Sequence, residues 1–308
     1  MNARSPLDGT ACGLMVLVCV IWSLQQIVLK ATAADMSPVL QIGLRSGFAA
    51  VLVAVLLIAR GTRLVLEAGT LTPGLAAGVL FALEFLFVGE GLRYTNASHM
   101  VVFLYTAPAF AALGLHLFLP EERLRPPQWL GMALAFGGIV VTFYGRDGGQ
   151  SLTASMLFGD LLGLLGGAFW GATTVVVRCT RLSNIPPTHT VLYQLAGAFV
   201  ILLAYAAAVG RMDFSLTPVV WGSLAFQTLV VSFASLLIWF WLLRRYLASR
   251  LGVLSFLTPL FGVIFGALLL NESLEPQFLF GTILVLAGII LVSGDVWLRE
   301  RFRRLLRS

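Results

Sequence analysis

The sequence predicts an all-α integral membrane protein in which ten transmembrane helices form two inverted five-helix repeats, with both termini in the cytoplasm. Three observations lead to this fold class. The composition is too apolar for a water-soluble domain, and the Lys and Arg residues favour alternate loops. The chain also resembles itself at an offset of about 150 residues, as transporters built from internal repeats do.

Composition excludes an ordinary globular domain. Of 308 residues, 59% are hydrophobic and only 11% are charged, and the mean hydropathy is +0.94. A soluble domain carries about 25% charged residues because its surface needs them. The apolar residues suffice for nine or ten membrane spans of about 20 residues each. The three cysteines, Cys12, Cys19 and Cys179, have neither the number nor the spacing of a disulfide framework or a metal site.

Ten apolar runs follow one another, separated by loops too short to hold a second domain. In chain order they cover residues 10–30, 39–59, 72–92, 98–119, 127–144, 155–177, 188–209, 217–243, 249–270 and 276–294. Six of them begin at or near a proline, which the first turn of a helix accepts because no amide donor is needed there. These prolines are Pro38, Pro73, Pro127, Pro187, Pro218 and Pro276. We expect the first run to stay uncleaved, since it has no small-x-small cleavage site and nine runs follow it.

The distribution of basic residues orients the helices. With a cytoplasmic N-terminus, the inside segments hold 15 of the 20 Lys and Arg residues and the outside loops hold four. The remaining one, Arg45, lies within a span. This bias predicts cytoplasmic termini at both ends of a ten-helix chain. We expect the basic tail, 295–308, to lie against anionic lipid headgroups, with nucleic-acid binding as a remote alternative.

The two halves of the chain are similar in sequence. Glu122-Arg-Leu-Arg-Pro126 aligns with Glu272-Ser-Leu-Glu-Pro276. Further pairs follow in order: Trp22 with Trp170, Lys30 with Arg178, Pro108 with Pro259, Gly131 with Gly281, and Gly138 with Gly288. Because five helices is an odd number, the second half must enter the membrane from the opposite side. The repeats are therefore predicted at 10–144 and 155–294, an arrangement typical of secondary transporters that bind substrate between the halves.

The same motifs resemble a known family. Gly91-Leu-Arg-Tyr-Thr-Asn-Ala-Ser98, Thr106-Ala-Pro108, Glu121-Glu122-Arg-Leu and the Gly131 to Gly138 spacing are similar to the EamA-type module of the drug/metabolite transporter superfamily, and Tyr246 to Gly294 resembles a second copy. The resemblance implies a ten-helix carrier of the bacterial inner membrane, often an exporter of amino acids or related metabolites. It implies a central cavity lined by helices 1, 3, 4, 6, 8 and 9, with helices 5 and 10 peripheral. The aromatic amino acid exporters are one candidate branch.

Ionisable residues within the spans are expensive in lipid and therefore need partners or water. Glu84 lies near the middle of the third run, and Arg45 is its expected partner, with Glu90 as the alternative for Arg45. An ion pair holding the bundle, a substrate-facing carboxylate and a proton relay all remain open for Glu84. Asp160 and Glu90 lie near the outer helix ends, where we expect them to anchor the interface. Neither His99 nor His116 has an obvious carboxylate neighbour in the sequence.

Aromatic and amide side chains within the spans suit a small-molecule site, which is commonly apolar with a few oriented polar groups. We expect Trp22, Phe85, Phe103, Tyr105 and Trp170 to shape the cavity, Gln26 and Gln227 to orient the substrate, and Glu84 to set the electrostatics. Helix-packing bulk is the alternative role for the two tryptophans. Pro108 and Pro259, at equivalent positions mid-helix, are expected to act as hinges or cavity-lining kinks.

The sequence therefore predicts a secondary transporter that exports or exchanges amino acids, with aromatic and apolar ones among the candidates, or related small metabolites, by alternating access. The alternative is a proton-coupled multidrug or cation exporter with Glu84 as the coupling acid. An intramembrane lipid enzyme and a membrane scaffold are two further, weaker hypotheses. No P-loop, zinc-protease or nucleophile-elbow motif occurs, so we expect no enzymatic activity, cofactor or metal. The expected partners are a small-molecule substrate and membrane lipids, not nucleic acid, and the pattern specifies no oligomeric state.

Overall fold

The computed structural model describes residues 8–61, 69–120, 123–144, 154–215, 217–246, 251 and 254–305. Within these ranges the chain is helical and has no β-strand. The helices are α1 (Gly9–Ala31), α2 (Pro38–Ala59), α3 (Leu71–Gly91), α4 (Ala97–Leu104), α5 (Ala107–Phe118), α6 (Pro126–Tyr144), α7 (Ala154–Cys179), α8 (Pro187–Ala208), α9 (Pro218–Ala225), α10 (Ser235–Arg245), α11 (Leu257–Leu269) and α12 (Pro276–Leu305). A 3-10 turn (Arg181–Asn184) follows α7, and a π-helical segment (Phe226–Ala234) joins α9 to α10.

Some sequence features used above lie outside the described residues. They are the basic residues Arg4, Arg63, Arg146, Arg250 and Arg307, the acidic motif Glu121-Glu122, and the end of the predicted basic tail, 306–308. The described part of that tail is helical, since α12 continues without interruption to Leu305.

Among the described residues, seven helical stretches are long and apolar enough to cross a membrane. They are Gly9–Ala31, Pro38–Ala59, Leu71–Gly91, Ala97–Phe118, Ala154–Cys179, Pro187–Ala208 and Pro218–Trp239. Three shorter apolar helices, Pro126–Val141, Leu257–Leu269 and Pro276–Leu291, occupy the positions of the other predicted runs. Large apolar side chains such as Val51, Ile58 and Leu268 are exposed on the outside of the bundle, where lipid would cover them. The structure thus confirms the expectation of an all-helical, multi-pass membrane protein.

Helix starts follow the local sequence. The Asp8 carboxylate caps α1 by accepting a hydrogen bond from the Ala11 amide at 2.7 Å, and the Thr217 hydroxyl caps α9 in the same way. The Tyr246 hydroxyl also donates to Asp8 at 2.7 Å, which ties the start of α1 to the end of α10. These bonds lower the pKa of Asp8, with the Ala11 amide as the larger cause.

Helices from the two halves of the chain pack against each other throughout the bundle, so the halves do not form separate units. From the first half, α3 contacts both α7 and α8, and α2 lies along α8. Helices α3 and α8 approach so closely that a Cβ on Gly197 would lie 2.8 Å from the Gly78 Cα. The main buried cluster accordingly combines Ile42, Val88 and Met100 of the first half with Leu202 of the second. Any site between the halves is therefore walled by both.

Helices α6 and α12 form the most extensive helix pair, at the edge of the bundle. The glycines that the repeat alignment pairs lie at their contact. A Cβ on Gly138 would lie 2.6 Å from the Gly281 carbonyl oxygen, and a Cβ on Gly288 would collide with the Gly131 carbonyl oxygen. Small residues at these positions allow the two backbones to touch. Equivalent residues of the two halves thus contact each other reciprocally.

The two prolines predicted mid-helix both follow breaks in a span. The helix stops at Leu104, turns through Tyr105 and Thr106, and resumes as α5 with Pro108 as its second residue. In the second half, a turn at Ser255 and Phe256 precedes α11, where Pro259 is the third residue. Each proline therefore lies in the first turn of a new helical segment, where a missing amide leaves no helical hydrogen bond unmade.

Candidate functional site

A cavity of about 600 Å³ lies between the two halves. Helices α1, α3 and α4 supply its first-half wall, and α7, α8 and α10 supply its second-half wall. Lining residues next to the turn between α7 and α8, such as Arg178, Ser183 and Pro187, are exposed. At the other end Glu84 and Tyr105 are buried. The cavity therefore opens at the α7–α8 turn and is closed at the opposite end.

The helices that line the cavity differ in one respect from those implied by the family resemblance. Helix α8, the seventh predicted span, contributes Thr190 and Gln194, whereas α11, the ninth, contributes none of the described lining residues. The packing explains this difference. Because α3 contacts α7 and α8 together, α8 is held beside the cavity, while α11 packs against α1 and α4.

Aromatic side chains from four helices, and Tyr105 directly after α4, line the cavity. Trp22 meets Trp239 edge to face, with ring centroids 5.6 Å apart, and Tyr105 meets Trp170 with centroids 5.3 Å apart. The Trp22 indole also donates a hydrogen bond to the Ser235 hydroxyl at 2.9 Å. These contacts fix the orientations of the rings in the cavity wall.

The buried end of the cavity carries hydrogen-bond acceptors. Glu84 on α3 is 4% exposed and Gln26 on α1 is 2% exposed. Among the described residues, neither Glu84 Oε2 nor Gln26 Oε1 has a hydrogen-bond partner. A buried acceptor left unpaired costs about 1–3 kcal/mol, so such atoms call for a bound donor.

Arg45 does not form the expected direct ion pair with Glu84, although the two charges interact electrostatically. Its guanidinium lies over the Phe85 ring, 4.8 Å from the centroid, and Nη1 donates to Gln227 Oε1. Gln227 in turn donates to the Gln25 carbonyl at 2.9 Å. Arg45 is therefore held behind the cavity wall by a π-segment residue and is not one of the described lining residues.

The structure brings together six of the eight residues predicted to bind substrate. Those lining the cavity are Trp22, Gln26, Glu84, Phe85, Tyr105 and Trp170. Phe103 packs instead against Ala135 of α6 and Val285 of α12. It precedes Tyr105 by two residues and so points to about the opposite side of α4. Gln227 lies behind the wall as the partner of Arg45.

Several lining residues went unpredicted from the sequence. Phe81 on α3, Thr173 on α7, and Thr190 and Gln194 on α8 all face the cavity. The spacing of Thr190 and Gln194, four residues apart in an apolar helix, places two polar groups on one face and could have revealed them. Thr173 and Phe81 carry no comparable signal, because threonine and phenylalanine are common in apolar helices.

Two charged side chains hold the closed end, and the bonds of one of them, Glu272, join the two halves. Glu272, after α11, accepts hydrogen bonds from the Ala97 amide (2.7 Å), the Ser98 amide (3.0 Å) and the Ser98 hydroxyl (2.5 Å) at the start of α4. The Lys30 ammonium, at the end of α1, donates to the carbonyls of Leu92 (2.5 Å) and Thr95 (2.8 Å). A charged side chain from each half thus fastens the α3–α4 loop.

Asp160 is expected from the sequence to anchor the membrane interface, but the structure places it inside the protein. It is fully buried, accepts a hydrogen bond from the Thr95 hydroxyl, and pairs with His99 Nδ1 at 3.0 Å. The His99 ring stacks on Phe278 of α12, with centroids 3.8 Å apart. The carboxylate partner that the local sequence around His99 did not offer comes from α7, in the other half of the chain.

Glu90, by contrast, lies at the edge of the closed end. It pairs with Arg93 at 2.8 Å and also with Arg211 from the loop after α8. Partial burial acts to lower the pKa of Arg93, but the hydrogen bond and charge of Glu90, with smaller contributions from Tyr94 and Tyr205, together outweigh it, so the pKa is raised. This ion-pair cluster adds a further cross-half contact on the side away from the cavity opening.

Comparisons with known proteins agree with this architecture. The model of the EamA-like transporter family matches residues 9–144 and 157–294. The chain is 25% identical to the uncharacterized transporter YoaV of Bacillus subtilis (strain 168), over 90% of this chain and 94% of that protein. It is 26% identical to a probable amino-acid metabolite efflux pump of Escherichia coli (strain K12), over 92% and 95%.

A similarly named probable amino-acid metabolite efflux pump of Salmonella typhimurium is 27% identical, over 90% of this chain and 92% of that protein. One solved crystal structure superimposes with a TM-score of 0.64 at 20% identity, over 95% of this chain and 99% of the other. That similarity concerns the fold alone. The family match covers both halves of the chain and confirms the resemblance drawn from the sequence motifs. The chain belongs to the EamA-like transporter family and is a multi-pass membrane transporter.

Proposed function

We propose that the protein is a secondary transporter that exports or exchanges amino acids, aromatic and apolar ones included, by alternating access. One observation carries the proposal: an aromatic-walled cavity between the halves is open at one end and closed by cross-half bonds at the other. Its volume of about 600 Å³ accommodates a solute of amino-acid size. The two relatives named as probable amino-acid metabolite efflux pumps support the substrate class.

The proposed topology has ten spans, with inverted repeats at 10–144 and 155–294 in a bacterial inner membrane. In this topology both termini and the basic tail, 295–308, are cytoplasmic, and the α7–α8 turn with Arg178 and Arg181 faces the cytoplasm. The open end of the cavity then faces the cytoplasm, from which an exporter must load its substrate. The closed end, with Lys30 and Glu272, faces outward.

The proposed residue roles follow from placement. Trp22, Phe85, Tyr105 and Trp170 shape the apolar walls, Gln26 orients the substrate, and Glu84 sets the charge of the buried end. Phe103 acts by packing α4 against α6 and α12, and Gln227 acts through Arg45. The breaks before Pro108 and Pro259 are the proposed hinges, because a span interrupted there bends without breaking a regular helical ladder.

Counterflow in proteoliposomes tests the proposal. Vesicles preloaded with unlabelled amino acids should accumulate a labelled aromatic or apolar amino acid, and the Trp22→Ala, Trp170→Ala double variant should lose most of that accumulation. Trp221→Ala is the matched control, since Trp221 is 56% exposed on the outside of α9. Absence of counterflow for every amino acid, in protein shown to be folded, would contradict the proposal.

A proton-coupled exporter of drugs or cations is the second candidate. The observation that favours it is the buried Glu84 carboxylate in the cavity wall, where proton and cation binding would compete. Under this mechanism an imposed pH gradient drives cation flux in the wild type and fails to drive it in Glu84→Gln. Flux that follows the substrate gradient alone, with no response to pH, would exclude this candidate.

A further inference from the structure

We propose that the buried end of the cavity, formed by Glu84 and Gln26, is a receptor for a ligand ammonium group, so that the protein binds amines whether or not they carry a carboxylate. The proposal rests on the proposed function for its site, the same cavity, and adds which chemical group of the ligand that site recognises. A zwitterionic amino acid would then be one member of a wider class of amine ligands.

The unpaired atoms at this end are acceptors. Glu84 and Gln26 line the same cavity, and Glu84 Oε2 and Gln26 Oε1 are buried and have no hydrogen-bond partner among the described residues. An ammonium group brings three donors and no acceptor, whereas a carboxylate brings acceptors only. The unpaired acceptors at this end therefore match an ammonium, whereas a ligand carboxylate finds the Gln26 amide as a donor but lies against the Glu84 carboxylate.

The charges of the lining residues also favour an ammonium group over a carboxylate at the buried end. Among the described lining residues the charged side chains are Glu84 at the buried end and Arg178 at the mouth. Arg45, the nearby cation, donates to Gln227 and covers the Phe85 ring from behind the wall, so it does not present its guanidinium to the cavity. An anion at the buried end would meet the Glu84 carboxylate, and a cation would be attracted to it.

The aromatic walls favour a cation as well. Trp22, Tyr105 and Trp170 line the cavity beside these acceptors, and the faces of such rings attract ammonium groups. The Phe85 face is already occupied by Arg45, which shows that an aromatic ring in this wall can hold a cationic group. Acceptors and rings together form an environment suited to a positively charged nitrogen.

Three probes of similar size separate the possibilities: 2-phenylethylamine has the amine alone, 3-phenylpropionate the carboxylate alone, and L-phenylalanine both. Binding to the full-length purified protein is followed by quenching of tryptophan fluorescence, since Trp22, Trp170 and Trp239 line the cavity. We expect the amine and L-phenylalanine to bind and the acid to bind at least about tenfold more weakly, the effect of one lost charge-assisted hydrogen bond.

Two variants test the assignment to Glu84. Glu84→Gln should lower the affinity for 2-phenylethylamine by about tenfold to a hundredfold, while Glu84→Asp, which keeps the carboxylate, should retain measurable amine binding. Glu275→Gln makes the same chemical change outside the cavity lining and should leave binding unchanged. Equal binding of the acid and the amine, or unchanged amine affinity in Glu84→Gln, would overturn the proposal.

The experiments distinguish failure of the ammonium-receptor proposal from failure of the proposed amino-acid transport. If amines bind in a Glu84-dependent manner but no amino acid undergoes counterflow, the ammonium receptor stands and amino-acid transport falls. If amino acids undergo counterflow and 3-phenylpropionate competes as well as 2-phenylethylamine, transport stands and the ammonium receptor falls. If no amine binds to folded wild-type protein, the buried acceptors serve water and the receptor is excluded.

Discussion

His99 Nδ1 lies 3.0 Å from the Asp160 carboxylate, and both side chains are fully inaccessible to solvent. The two residues belong to α4 of the first half and α7 of the second, at the closed end of the cavity. The pair joins α4 to α7, one helix from each half, at this end. The pair therefore belongs to the structure that keeps the cavity closed on this side.

Breaking this pair should destabilise the protein. Removing one partner leaves the other buried without its bond, which typically costs about 3–5 kcal/mol when the pair is ionised. We expect Asp160→Asn and His99→Ala each to lower the thermal unfolding midpoint of the detergent-solubilised protein by several degrees. The double variant should lose less stability than the two single variants lose together, because both substitutions remove the same contact.

Asp213→Asn is the control for the loss of a carboxylate, since Asp213 is exposed in the loop after α8. If Asp160→Asn unfolds at the same temperature as this control, the pair does not stabilise the closed end.

The Glu272 cap is a second part of the closure. Because its carboxylate accepts three hydrogen bonds at the start of α4, Glu272→Ala should free the α3–α4 loop at a cost of about 1 kcal/mol. A cysteine introduced at Ala97, in a background without native cysteines, reports this change because Ala97 is fully buried. We expect a hydrophilic maleimide to label Ala97→Cys several-fold faster when Glu272 is replaced by alanine. Glu275→Ala is the control, and equal labelling rates in both backgrounds would contradict the prediction.

The sequence was sufficient to predict features that depend on composition and local spacing. The apolar runs predicted the helices, since most described runs are helical near their predicted bounds; the exceptions are 249–270, whose long helix begins at Leu257, and 276–294, whose helix continues to Leu305. Aromatic and ionisable residues such as Trp22, Trp170 and Glu84 stood out because such groups are unusual within a span, and they line the cavity.

Contacts across the bundle could not be predicted in the same way. His99 and Asp160 are 61 residues apart, and nothing in their local sequence relates them. Phe103 and Tyr105 are both aromatic and only two residues apart. Because of the helical rotation between them, Phe103 packs against α6 and α12, whereas Tyr105 lines the cavity. Which side of a helix faces a cavity depends on its neighbours, and those are set by the tertiary packing.

The bond between Arg45 and Gln227 provides a third prediction. Replacing Gln227 with leucine removes the acceptor for the Arg45 guanidinium and the donor to the Gln25 carbonyl. An unsatisfied buried partner of this kind costs about 1–3 kcal/mol, and more for a charged group. We expect Gln227→Leu to lower the unfolding midpoint clearly, and Gln227→Glu to retain more stability because it still offers an acceptor to Arg45. A leucine variant as stable as the wild type would mean that Arg45 finds another partner.

The contact between α6 and α12 allows a test with two adjacent glycines. A Cβ on Gly138 would lie 2.6 Å from the Gly281 carbonyl oxygen and 2.7 Å from the Val285 amide nitrogen, whereas a Cβ on Gly137 would meet nothing within 4 Å. Gly138→Ala must push the two backbones apart, and overpacking of this kind costs about 1–3 kcal/mol.

Gly137→Ala adds the same methyl group one residue earlier on the same helix. There it should be neutral or stabilising, because alanine favours a helix over glycine by about 1 kcal/mol. We therefore expect thermal unfolding to show a lower midpoint for Gly138→Ala and an equal or higher midpoint for Gly137→Ala. Since Gly288 meets the Gly131 carbonyl from the other helix, Gly288→Ala should behave like Gly138→Ala. Equal midpoints for Gly137→Ala and Gly138→Ala would mean that the α6–α12 contact tolerates separation and that the paired glycines are not needed for its stability.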